Sequence, residues 1–356
     1  MYYLKILYIL FIVLALNIFF FSTTNLSAKS FLIEEIEISE PLDMNFNKEN
    51  LINQGFIIAF NELIETLVKS KDLEKIQKTK LIEIKSMIES FSIKEENFIK
   101  NIYHINLGVT FNKKKIYSYL EKRNIFPAQI TKETFLFVPI IINQKNNEMI
   151  LFSDNQFFVN WNKENKKNSL IKYLLPTEDL EDINLIKSKS NDIENYNFEK
   201  IIEKYFLDHS IVALIFKNNN EIKILSKISI KDKKIIKNNF FLDIDYNNKD
   251  EINLLISKLK IVYEDLWKEY NQINTSIKFP LFIKINNRNL DTSSEFEKIL
   301  NQIDLIGKYS ISKFDRDYIY YEILFNGTPK NFLNIMKNRL ISNNMNGKTQ
   351  RNMFLF

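Results

Sequence analysis

The chain contains no cysteine, five glycines and six prolines in 356 residues, and only two histidines. Without cysteine there can be no disulfide staple, no thiolate metal ligand, no thiol nucleophile and no lipidated cysteine of a bacterial lipoprotein. The glycines, at 55, 108, 307, 327 and 347, are too scattered for a phosphate-cradling loop or a dinucleotide fingerprint, which excludes nucleotide chemistry of those kinds. Arginine is also scarce, at Arg123, Arg288, Arg316, Arg339 and Arg351, so the basic side chains are almost all lysine. A formal charge of +5, with acids interspersed among the lysines, gives no single-sign field. Neither a nucleic acid nor a nucleotide is expected as a partner. The runs Lys113-Lys114-Lys115 and Lys163 to Lys167 read as solvated faces.

What is present begins with an address. Within residues 1–28 Lys5 is the only charged side chain, Ile6 to Phe21 is apolar except for Asn17, and Leu26-Ser27-Ala28 ends on a small residue. That order predicts a secretory signal peptide cleaved after Ala28 and a periplasmic mature chain. The alternative is an uncleaved inner-membrane anchor over residues 1–21, and membrane contact is expected only in that case. Once Lys5 is removed, forty-eight basic residues stand against 44 acidic ones.

Hydrophobic periodicity predicts an α+β fold of three consecutive α/β sandwich-like units, the outer two with β-α-β-β-α order. The first, 29–128, has a strand around Glu35 to Ile38 and a helix with Phe56, Phe60, Leu63 and Leu67 on one face. A weak strand over 87–99 follows, then a clean alternation from Tyr103 to Phe111 and a helix capped by Asn112. The second unit, 129–274, opens on Phe135 to Ile142, where Pro139 predicts an edge or bulged strand. A polar insertion over 143–197 follows. Strands from Ile211 to Ile244, a turn at Asn218-Asn219-Asn220 and a helix at 250–270 complete a sheet with helices on one side. The third unit, 275–356, repeats the first, with Ser294 and Glu297 as a capping box, Asp315-Arg316-Asp317 as a hairpin tip and Thr328-Pro329 opening the last helix.

Candidate chemistry is sparse. His104 falls on the polar face of its strand, and His209 follows Asp208. Neither has a recognisable partner set, so both read as solvated or capping groups, and no catalytic residue or cofactor is assigned. Glu178, Asp179, Glu181 and Asp182 are the only candidate metal ligands, since several oxygens could hold a hard cation. Their simpler reading is a helix start capped by Thr177, with Leu180 and Ile183 packed inward. Trp161, in a polar stretch, is the candidate for an exposed binding surface, against packing over a loop.

The long helix ending near Leu67-Val68, the passage Tyr103 to Leu120 and the run Phe135 to Ile142 recur together with Pro176-Thr177-Glu178-Asp179-Leu180-Glu181-Asp182 and with Tyr205 leading into Ile211-Val212-Ala213. With the leader, this order resembles the secreted proteobacterial family known as domain of unknown function 2066. The resemblance implies a Gram-negative envelope protein of three α/β units and supplies no catalytic residues. The expected role is a non-catalytic binding or assembly factor in the periplasm, with an envelope protein as partner. The alternative is a carboxylate- or metal-dependent hydrolase acting on an envelope substrate through Glu178 to Asp182.

Overall fold

The structure, a computed structural model, describes residues 30–146, 148–163, 166–274, 278–286, 290–303, 305–342 and 353–355. The segment read as a leader, 1–28, lies outside them. Among the described residues no helix is long and apolar enough to cross a membrane. The fold is α+β, with three sheets.

The first sheet comprises β1 (Ser30–Pro41), β2 (Ile88–Ile99) and β3 (Ile102–Asn112), in the antiparallel order β1-β3-β2. Helix α1 (Lys48–Leu67) begins where the Asn47 side chain accepts from the backbone N–H groups of Glu49 and Asn50. Its apolar stripe, including Phe56, Phe60, Leu63 and Leu67, packs on Tyr103, Ile105, Leu107, Val109 and Phe111 of β3. Gly55 lets this helix lie close to the sheet, because a Cβ there would collide with Leu107 and Ile38. The short helices α2 (Ser70–Leu73) and α3 (Leu81–Met87) lead into β2. Asn112 then caps α4 (Lys113–Glu121), accepting from Lys115 N at 3.2 Å.

The middle unit holds β4 (Glu133–Asn143), β5 (Glu148–Ile150), α5 (Gln156–Asn160), β6 (Ile171–Leu174), α6 (Leu180–Ser188) and α7 (Glu199–Ile202). These are followed by β7 (His209–Asn218), β8 (Glu221–Ile230), β9 (Lys233–Phe241) and α8 (Lys249–Tyr270). The sheet runs β5-β4-β7-β8-β9, with β4 parallel to β7 and β6 also paired to β4. Three expectations are corrected here. First, β4 is central despite Pro139. On one side it pairs continuously with β7; on the other, β6 covers residues 133–136 and β5 covers 141–143, so Pro139 faces the gap between them. Its carbonyl there accepts from the Asn155 side chain at 3.0 Å, and the missing N–H on the same side breaks no ladder bond.

Second, the polar stretch 143–197 is not an insertion. It contributes β5 and β6 to the sheet and Phe157, Trp161, Leu170, Ile186 and Ile193 to the cores. Third, helices cover both faces of the sheet: α5 and α8 pack on Phe135, Phe137, Ile211 and Ile215, while α6 and α7 pack on Leu136, Val138, Val212 and Leu214. The turn at Asn219 is as expected, with φ of 50° and Asn218 paired to Glu221.

The last unit has β10 (Phe279–Asn286), α9 (Leu290–Gln302), β11 (Ile306–Phe314), β12 (Tyr318–Phe325), α10 (Pro329–Ser342) and β13 (Met353–Leu355). Ser294 lies inside α9 rather than capping it, because the helix starts a turn earlier. Asp315 does tie the hairpin tip, accepting from Asp317 N and Tyr318 N, and Thr328 Oγ1 accepts from Asn331 N at the start of α10. The sheet order is β11-β12-β10-β13. The first three strands thus repeat the arrangement of β1-β3-β2, and β13 completes a split β-α-β pattern. The two linkers run side by side: Gln129 N donates to Asn271 O at 2.9 Å and Ile273 N to Pro127 O at 2.8 Å. The outer units consequently meet, with Tyr117 of α4 packed on the C-terminal core.

Candidate functional site

The sequence candidates resolve mostly into structure. Asp179, not Thr177, caps α6, accepting from Glu181 N at 2.9 Å, while Thr177 N donates to the Tyr205 hydroxyl. Leu180 is 77% exposed rather than packed inward. Asp182 is buried, and the Lys204 ammonium donates to it at 2.7 Å and to Asp179 at 3.1 Å. Those hydrogen bonds, first to Asp182 and then to Asp179, hold the Lys204 ammonium above its ordinary range. The ammonium therefore stands where a cation would sit between these carboxylates. Glu178 accepts from Ser153, and Glu181 is largely exposed. Among the described residues no group of three or more metal-ligating side chains converges.

Trp161 is fully buried, which removes it as a binding surface. It stacks on Phe137 with ring centroids 3.6 Å apart and meets Tyr173 edge-on at 5.3 Å. The polar residues around it belong to the loop it closes, and its large apolar area is what this core takes up. His209 is likewise buried, stacked on Phe135 and tilted against Trp267. Burial pushes its imidazole below the ordinary pKa, against the opposite pull of Glu133 and Asp208. It is a core aromatic group, not the solvated or capping one expected. His104 remains on the half-buried polar side of β3.

The feature that sequence reading passed over is one face of the C-terminal sheet. Alternation along β10 turns Leu281, Ile283 and Ile285 toward α9 and α10, where Phe296, Ile299, Leu300, Phe332 and Met336 receive them. Alternation along β12 does the same for Ile319, Tyr321, Ile323 and Phe325. The opposite phase leaves Phe282 and Lys284 on β10 and Tyr318, Tyr320 and Glu322 on β12 facing the other way. Phe282 is 51% exposed, and the other four are half-buried.

Register sets these side chains in rows. Lys284 on β10, Tyr320 on β12 and Lys313 on β11 stand in line across three strands. The ammonium groups lie 5.6 and 5.2 Å from the Tyr320 ring, and that of Lys284 also lies 3.6 Å over Tyr318. The next row is Phe282, Glu322 and Ser310, and beyond it Pro280, Leu324 and the exposed Lys308. The result is a platform of rings edged by cations, with one carboxylate at its middle. The signal that could have revealed it is phase: in Tyr318-Ile319-Tyr320 and in Phe282 the aromatic residues fall on the beat opposite to the core residues.

No family model matches the chain, and no curated protein matches it.

Proposed function

We propose that this chain is an exported protein of the Gram-negative cell envelope that works by binding or assembly in the periplasm, without catalysis. The observation that carries this reading is the contrast between engaged and displayed polar groups. Lys204 is engaged with Asp179 and Asp182, and Glu264 accepts from Ser169 and from the N–H groups of Leu170 and Ile171. His209 is stacked in a core. Among the described residues the outer face of the last sheet carries instead the half-exposed Phe282, with the Tyr320 ring and the exposed Lys313 in the next row. The order of residues 1–28 and the resemblance to a secreted family support export, and an envelope protein remains the expected partner.

Two measurements test the reading. Mass analysis of protein recovered from a periplasmic fraction is expected to give a chain beginning at Lys29. Full-length protein found solely in the inner membrane would replace the soluble reading with the anchor over 1–21. A photoreactive residue in place of Phe282 is expected to crosslink in the cell to an envelope component. Recovery of the protein with cytosolic markers would end the proposal.

A further inference from the structure

We infer that the open edge of the middle sheet, along β9, pairs with the same strand of a second copy of this chain and joins two molecules in one continuous sheet. The inference goes beyond the envelope reading above and does not depend on it.

Three long strands stand at the edges of the other sheets, and each carries an irregularity that spoils it for further pairing. β1 shifts register between Ile33 and Ile36, β2 at Ile88/Ser90 and Ile93/Glu95, and β11 at Ile306/Lys308 and Ile311/Lys313. β5 and β13 are only three residues long. β9 has neither protection: its nine residues pair with β8 in unbroken register, and among the described residues no strand lies along its other side. The hairpin closes on Ile230 and Lys233, so in the alternating ladder Lys234, Ile236, Asn238 and Phe240 direct N–H and C=O away from β8. On one face of this edge Ile236 and Phe240 are 68% and 59% exposed.

The sequence of the strand is complementary to itself. Antiparallel pairing about Asn238 sets Ile236 against Phe240 of the second copy, Ile235 against Phe241 and Lys237 against Asn239, each pair on one face of the sheet. Ile235 and Phe241 already pack on the core beneath α8, so their pairing makes the two cores continuous. Asn238 meets its own copy, where two amides can exchange donor and acceptor. The Asn239 amide oxygen makes no hydrogen bond within the chain, and a turn of that side chain presents it to Lys237 of the second copy. Lys234 is held by Glu199 of its own chain at 3.0 Å. An axis at Lys237 would instead set two ammonium groups face to face. Pairing about a two-fold axis uses both open edges, so the assembly closes at two copies.

The test is analytical ultracentrifugation of the purified chain from micromolar to near-millimolar concentration. A monomer–dimer equilibrium is expected, and it should persist as ionic strength rises, because the two Lys237 ammonium groups lie diagonally across the axis and salt screens them. Asn238→Pro removes an N–H that points away from β8, a change an edge strand tolerates, and is expected to weaken association roughly tenfold or more with Tm unchanged. Ile236→Lys is expected to do the same, and it decides the matter should the proline variant unfold. The chain has no cysteine, so Asn238→Cys offers one thiol per copy. A short bis-maleimide is expected to link that variant in pairs and to leave Ser92→Cys, on β2, unlinked. A monomer at every concentration, a dimer that salt dissolves, or a dimer indifferent to both Asn238→Pro and Ile236→Lys would overturn the inference. So would a monomer whose β9 amides are protected from hydrogen exchange only by an added extended peptide, which would give the edge to another protein.

Discussion

The two outer units share a strand order and differ in what their uncovered faces carry. On the first sheet the face away from α1 presents Ser39, Ser90, Ser92, Asn97, His104, Asn106 and Thr110, with the carboxylates Glu37 and Glu95 and the aliphatic Leu32, Ile99 and Ile102 among them, and it carries no Phe or Tyr. On the last sheet the equivalent face presents Phe282, Tyr318, Tyr320, Lys284 and Lys313. One topology therefore supports a face of mixed polar, charged and aliphatic groups and a face that leaves an aromatic ring half exposed. Packing on the helix side constrains both sheets in the same way, and the free side is where the units diverge. Fold alone does not assign a role; the side chains placed on it do.

The comparison can be broken most forcefully from the core side. Phe60→Ala in the first unit and Phe296→Ala in the last are each expected to cost about 3–5 kcal/mol, since both rings are fully buried. Calorimetry would show whether the two losses fall in one transition or in separate ones. Next in size is the ion pair of the middle unit. Lys204→Ala strands the buried Asp182 carboxylate and is expected to lower the urea midpoint, by less than breaking a fully buried pair would because Lys204 is partly exposed. The exposed pair Lys48 and Glu96 on the first unit is expected to show a weaker coupling than the Lys204 pair in a double-mutant cycle.

Gly55→Ala is expected to cost about 1–3 kcal/mol by overpacking α1 against Leu107 and Ile38, measured by urea unfolding. An unchanged midpoint would show that the helix can ride up without penalty. His209 makes stability depend on pH. His209 has its pKa depressed by burial, so the unfolded chain binds the proton more readily than the folded one. Stability is then full above the unfolded value of about 6.5 and declines as pH falls through it. His209→Phe is expected to flatten this dependence. The smallest effect is expected for Phe282→Ala, within about 0.5 kcal/mol, because the half-exposed ring contributes little to packing.

Much of the fold was legible because it is written in local periodicity. The beat from Tyr103 to Phe111, the Asn112 cap and the Asp315 tip are each set by neighbours within a few residues, and each stands as read. What escaped the sequence depends on distant partners. Nothing near Asp182 announces Lys204, and nothing near Trp161 at the end of α5 announces Phe137, which reaches it from β4. Pro139 misled for the same reason, since whether a missing N–H matters depends on which strand ends opposite it. The candidate face was half legible: alternation already separated Tyr318 and Tyr320 from the core beat, but register with Lys284 and Lys313 belongs to the assembled sheet.

Pro139 has a further consequence in time. The hairpins of the outer sheets pair Ile99 with Ile102 and Phe314 with Ile319, contacts a chain can make as soon as both residues exist. β4 must wait for β7, because Leu136 pairs with Ser210 and the parallel centre of the middle sheet cannot form earlier. During that interval β5 and β6 can cover only the ends of one edge of this apolar strand, and open edge is the condition under which copies ladder together. Pro139 has no N–H to offer on the stretch between β5 and β6, so it interrupts a ladder on that edge, while in the finished sheet no strand needs its N–H there. The residue that looked like a defect in the strand removes a donor from the one part of that edge which its neighbours leave uncovered.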